Sequence, residues 1–130
     1  MAYIYYNPNP MQKNTGDCVI RALCKITNKD WYYIYIQLSI LGFMHCDWGN
    51  KNEIWGMFLK KIGYERHVIE NTCPDCYSVS DFCKEHNSGK YILSTGSHTI
   101  AVINGDIYDA WNSLNELPIM YWCKNEKMGE

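Results

Sequence analysis

Apolar residues recur at helical spacing in the first half of the chain and gather into short β-branched and aromatic runs in the second. Val19, Ile20, Leu23 and Ile26 fall near a 3.6-residue period, which predicts a helix over Cys18–Thr27 capped by Asp17. A second helix starts after Asp30, runs through Trp31, Ile34, Leu38 and Leu41, and should stop at Gly42. A third follows Asn52, burying Ile54, Trp55, Phe58, Leu59 and Ile62 before Gly63 ends it. An edge strand at 64–69 and a short helix near 79–86 come next. Strands are then expected at 91–95, 97–103, 107–111 and 119–122. Asn104-Gly105 lies between two of these runs and marks a tight hairpin, because both central residues of a type I′ turn need positive φ. Helices first and sheet afterwards give an α+β fold, with N-terminal helices packed on a C-terminal antiparallel sheet. No linker, repeat or low-complexity stretch divides the chain, so residues 1–130 read as a single domain.

Composition narrows the function classes. With 47% hydrophobic and 20% charged residues the chain has a core to bury and no signature of disorder. The net charge of −2, without a Lys/Arg cluster, argues against nucleic acid as a partner. No apolar run suits a membrane span or a secretory leader, so a cytoplasmic protein is expected. Seven cysteines, an odd number, scattered among helical and strand patterns fit reduced thiols better than a disulfide framework.

One of those thiols sits where chemistry favours it. In Thr15-Gly16-Asp17-Cys18-Val19-Ile20-Arg21 a glycine-containing turn leads into a helix, so Cys18 meets orphan N–H groups and the positive end of the helix dipole. A small residue packed at a helix start would look the same. Further on, His98 opens one arm of the Asn104-Gly105 hairpin and Asp109 lies on the other. With Asn104-Gly105 in the turn, Ile103 pairs with Asp106 and Ile100 with Asp109, which makes Asp109 a diagonal same-face neighbour of His98. A register shifted by one residue in the turn keeps them on one face. A carboxylate there can accept one imidazole N–H and present the other ring nitrogen to a thiol. Asn112 could take the third role, but its odd spacing from His98 puts it on the opposite face.

The segments GDCVIRAL and GKYILSTGSHTIAVINGDIYDAWNS, with a helix-borne Cys followed by a strand-borne His and Asp, resemble the papain-like cysteine peptidase superfamily. They are most similar to small uncharacterised papain-like proteins of phages and bacteria. The resemblance covers most of residues 12–112. It implies a cysteine-dependent hydrolase (a peptidase, isopeptidase or amidase) working through Cys18, His98 and Asp109 and a thioester acyl-enzyme. Its substrate would be a protein or peptide, with no cofactor. It also implies that Gln12, six residues before Cys18, supplies a side-chain N–H to the oxyanion hole, with Asn14 as a rival donor. Val19 departs from papain's aromatic residue after the nucleophile, and Asp109 stands where papain has asparagine. The alternative reading is a catalytically silent papain-like binding module, such as a phage protein that targets a host factor in the host cytoplasm.

Other residues carry weaker signals. Cys73, Cys76, Cys83 and His86 have a spacing that could close a zinc site, although ordinary thiols are the simpler reading. His45, Cys46 and Asp47 read as a loop, and His67 as an exposed strand residue. Arg21 should form an internal salt bridge with an acid such as Glu53 rather than bind a substrate carboxylate, and Trp111, which could wall the site opposite His98, is expected to pack in the core.

Overall fold

A computed structural model of the chain describes residues 2–70 and 74–124. Its elements are β1 (Tyr3–Tyr5), α1 (Cys18–Thr27), α2 (Trp31–Met44), α3 (Asn52–Lys61), β2 (Tyr64–Val68), α4 (Val79–Glu85), β3 (Lys90–Ser94), β4 (Thr99–Ile103), β5 (Asp106–Asp109) and β6 (Met120–Lys124). The architecture is α+β, with a six-stranded sheet in the order β1-β5-β4-β3-β6-β2. Among the described residues no helix is long and apolar enough to cross a membrane.

The hairpin forms as its turn chemistry dictates. Asn104 and Gly105 take φ of 51° and 81°, and Ile103 pairs with Asp106, Val102 with Ile107 and Ala101 with Tyr108. The sheet departs from expectation in one strand. It is mixed rather than purely antiparallel, because Tyr3–Tyr5 adds alongside Ile107–Asp109 in parallel. A three-residue strand has too short an alternation to stand out in a sequence, and its partner lies about a hundred residues away.

Burial divides between the two faces of the sheet. Val19, Ala22, Leu23 and Ile26 of α1 follow the i, i+3, i+4, i+7 spacing. With Ile34, Leu38, Trp55 and Leu59 they cover Ile92, Ala101 and Trp122. On the opposite face Val79, Phe82 and Cys83 of α4 cover Leu93, Ile100, Val102 and Ile107. The expected single helical layer is therefore corrected to helices on both faces. Each of the larger side chains removed from water contributes about 2 kcal/mol.

The helix over 18–27 has the predicted bounds, and three helix ends differ in detail from the sequence reading. Asp17 holds the N-cap position of α1, but its side chain caps no backbone N–H. Asn52 is the first residue of α3 rather than its cap, and its side chain accepts the Trp55 indole N–H at 3.1 Å. Gly42 does not stop α2. The helix continues to Met44, and the left-handed residue beyond it is Cys46, at φ 56°. Gly42 is needed for space, since a Cβ there would lie 2.5 Å from the Asp47 carbonyl oxygen and 2.9 Å from the Gly49 nitrogen.

Candidate active site

The three chemically interesting residues come from element ends that meet at one end of the sheet. Cys18 is the first residue of α1, half-buried, and follows a turn in which the Asp17 N–H donates to the Thr15 carbonyl at 2.7 Å. His98 ends the β3–β4 turn. Gly96 supplies φ 97° there, the Thr95 N–H donates to the His98 carbonyl at 2.9 Å, and the His98 N–H donates to Thr95 Oγ1 at 3.1 Å. Asp109 closes β5, where β1 lies beside it. Tyr5 is its pairing partner and the Tyr6 N–H donates to its carbonyl at 2.9 Å. The strand that the sequence reading missed thus fastens the backbone of the acid.

Side-chain contacts join the three into one chain. His98 Nε2 lies 2.7 Å from Asp109 Oδ2, and the same imidazole interacts with the Cys18 thiol. With Nε2 engaged by the carboxylate, Nδ1 is the ring nitrogen left for sulfur. The Thr99 backbone N–H also favours the thiolate. Burial pushes the Cys18 thiol up, but the His98 and Thr99 hydrogen bonds and the charges of His98 and Arg21 outweigh it and hold the thiol below its ordinary value. Burial works against the His98 cation, and the bonds and charges of Asp109 and Cys18 overcome it, raising the imidazole to about 9. Both shifts act in the direction of a thiolate–imidazolium pair. Trp111 covers the imidazole, with ring centroids 4.8 Å apart, and is half-exposed, so it walls the site instead of packing in the core.

Asp109 is fully buried, and the groups that hold it there escaped the sequence reading. Beside His98 it accepts the Ser113 hydroxyl at 2.7 Å, the Ala110 N–H at 2.7 Å and the Arg21 guanidinium at 3.0 Å. Burial alone would raise this carboxyl, but the bonds from His98 and Ser113 and the charge of His98 hold it below the usual carboxylate range. Arg21 also meets Asp17 at 3.3 Å, so its partners are Asp17 and Asp109 rather than Glu53. Asp17 in turn accepts the Trp31 indole N–H at 2.9 Å. Arg21 therefore ties the residue before Cys18 to the acid behind His98. Its place four residues after Asp17 was the available signal, whereas Ser113 carries none beyond proximity to Asp109.

Gln12 stands apart from this hydrogen-bonded set. Its residue has φ 54°, and its amide Nε2 donates to the carbonyls of Asn9 at 2.9 Å and Asn7 at 3.2 Å. Asn14 is exposed. Asn112 is exposed too and accepts the Leu114 N–H at 3.2 Å, so the third position belongs to Asp109. His67 is stacked on Tyr121 with centroids 4.9 Å apart instead of being freely exposed, and 45–47 form the expected connection between helices.

Of the four zinc candidates, Cys73 lies outside the described residues. Cys83 points into the core and its thiol is pushed up to about 11, chiefly by burial. His86 stacks on Phe82 at 4.0 Å and bonds the Phe82 carbonyl. Among the described residues no three His, Cys, Asp or Glu side chains gather closely enough to hold a metal.

Chemically, the cluster around Cys18 offers a nucleophile, a proton carrier and an orienting acid. Cys18 opens α1, whose first-turn N–H groups lack intrahelical acceptors and are the donors an oxyanion formed there would meet. No protein-family model, curated protein or solved structure matches the chain significantly.

Proposed function

We propose that this protein is a papain-like cysteine hydrolase that cleaves an amide or isopeptide bond through a thioester acyl-enzyme. The observation that carries this reading is the placement of Cys18 at the N-terminus of α1 beside His98, whose Nε2 lies 2.7 Å from Asp109 Oδ2. Cys18 Sγ forms a bond to the substrate carbonyl carbon, and the Cys18 backbone N–H receives the developing oxyanion, a donor worth about 3 kcal/mol in such sites. His98 gives its proton to the leaving nitrogen as the C–N bond breaks. A water molecule, deprotonated by His98, then attacks the thioester, and the carboxylic acid leaves with Cys18 restored as thiolate and His98 as imidazolium. Asp109 keeps the ring in one tautomer throughout. Gln12 joins the oxyanion hole only if its amide leaves the Asn7 and Asn9 carbonyls.

Iodoacetamide at pH 7 tests the reading. Cys18 should be alkylated at least tenfold faster than any other cysteine, as followed by peptide mass mapping. Equal labelling of Cys18 and the exposed Cys46 would remove the activated nucleophile and favour a silent binding module.

A further inference from the structure

We infer that the outward face of α2 is a self-association surface, on which a second copy of this chain packs its own α2 about a two-fold axis. The inference is independent of the hydrolase reading. It starts from composition. Trp31–Met44 reads WYYIYIQLSILGFM, 14 residues without one Asp, Glu, Lys or Arg. A helix on the surface of a globular protein ordinarily turns a charged face to water.

The fold itself uses one side of that helix. Ile34, Leu38 and Gly42 are its buried residues, and the first two join the core with α1 and α3. Away from them Tyr32, Tyr35, Ile36, Ile40 and Phe43 face solvent, and Trp48 continues the surface, since it lines the same groove as Tyr35 and Phe43. Phe43 is 85% exposed and Trp48 75%, and the other four are exposed by about half. With about 150–250 Å² on each aromatic side chain and somewhat less on isoleucine, these exposures leave roughly 800 Å² open to water. The largest apolar patch of a typical monomer is about 300–600 Å², whereas each partner in a stable interface of standard size gives about 800 Å². The area therefore matches one side of a dimer interface.

Charge selects a second copy as the occupant. An uncharged face offers no field to draw a partner of opposite sign, whereas it meets its own image without like-charge repulsion. A two-fold axis through the middle of α2 sets the two helices antiparallel, so Tyr32 of each copy approaches Phe43 of the other, and the small, exposed Ser39 lies near the axis. The same symmetry brings the Lys29 end of one helix beside the Asp47 end of the other, and these exposed charges have opposite signs. Antiparallel helix dipoles also attract in that arrangement. A lipid surface fits less well. A helix lying in a membrane interface carries Lys and Arg on its polar face, and α2 has neither, its other face being in the core.

Sedimentation equilibrium of the whole chain, from about 1 to 200 μM, tests the inference. The mass should rise with concentration from 15.2 kDa towards twice that value. Ile36→Glu and, separately, Phe43→Lys place charge in the apolar contact and should each weaken association by about 100-fold or more. Val68→Glu, at an exposed apolar position on β2, should change it by no more than about twofold. Ser39→Cys leaves the apolar side chains in place. Treated with bis-maleimidoethane, which joins two thiols as thioethers, it should give a crosslink between position 39 of the two copies, found by peptide mass mapping. A mass of one chain at every concentration would overturn the inference. So would a dimer that persists in both charged variants, folded by circular dichroism, or one without the crosslink at position 39. If the charged variants fail to fold, the crosslink decides. Sedimentation of the unmodified protein with phosphatidylcholine vesicles in place of self-association would assign the face to lipid and overturn the inference as well.

Discussion

Cys18 and Cys24 lie on the same helix, and both are pushed up by burial, yet their thiols shift in opposite directions. Cys24 is 1% exposed, and burial, with Asp30 and Asp17 adding negative charge, pushes it up to about 12. Cys18 is held below its ordinary value despite the same desolvation. The difference lies in what surrounds each sulfur. At the start of α1 an imidazole, a backbone N–H and a guanidinium compensate the thiolate, whereas in the core neither hydrogen bond nor cation does so. Cys83 repeats the lesson in α4, at about 11.

The sharpest way to break this comparison is to remove each thiol. Cys18→Ala should lower hydrolysis by on the order of 10³-fold or more, measured on a peptide substrate, and abolish the fast-labelling species. Cys24→Ala should leave both within twofold of the unmodified protein and cost about 1 kcal/mol in urea unfolding, from the small cavity it opens. Similar losses of activity from the two substitutions would mean that the thiols do not differ in role.

Removing the compensating group comes next. In His98→Ala burial of Cys18 persists without its main counterweight, so the thiol should rise to resemble the core cysteines. Its alkylation rate at pH 7 should fall roughly 100-fold, as the thiolate fraction does. An unchanged rate would transfer the activation to Thr99 and the helix terminus. Arg21→Met strips both Asp17 and Asp109 of their buried cation and should destabilise the fold by about 3 kcal/mol, seen as a lower urea midpoint. Because Arg21 ranks below the His98 contacts in lowering the thiol, alkylation of the folded variant should fall only several-fold. Arg21→Lys should recover part of the stability but not the two-sided geometry.

The same contrast explains what was legible in the sequence. The helix over 18–27, the Asn104-Gly105 turn and the His98–Asp109 register follow from local periodicity and turn chemistry, and a hairpin register propagates by counting. What escaped depends on approaches across the fold. β1 reaches Asp109 from the far end of the chain, and α4 covers the second sheet face although its own pattern is only seven residues long. Ser113 and Arg21 come to a buried carboxylate through tertiary packing that no spacing rule encodes. Gly42 misled because its requirement is room for 47–49 rather than a left-handed φ. Gln12 shows the converse, since a matching interval in sequence does not fix where a side chain donates.

The smallest expected effect separates the two partners of the ion pair by their pH dependence. His98 rises from an ordinary value of 6.5 to about 9, so its contribution to stability is complete below 6.5 and is lost as pH climbs through 9. Cys18 is lowered from 9.0, so its contribution is present above 9.0 and is lost as pH falls through its folded value. Between the folded value of Cys18 and 9.0 the folded state holds one proton more on His98 and one fewer on Cys18 than the unfolded chain. The two slopes oppose one another, and unfolding free energy should be nearly flat with pH across that window. Cys18→Ala removes one slope, and Asp109 still raises the imidazole, so stability of that variant should decline by up to about 1.4 kcal/mol per pH unit above 6.5. Hydrolysis by the intact protein should fall over the upper part of the same range, as His98 loses the proton it must deliver near pH 9. Urea titrations at half-unit steps from pH 6 to 9.5 would decide. Parallel profiles for the two proteins would show that Cys18 carries no compensating charge, and the contrast with Cys24 would collapse.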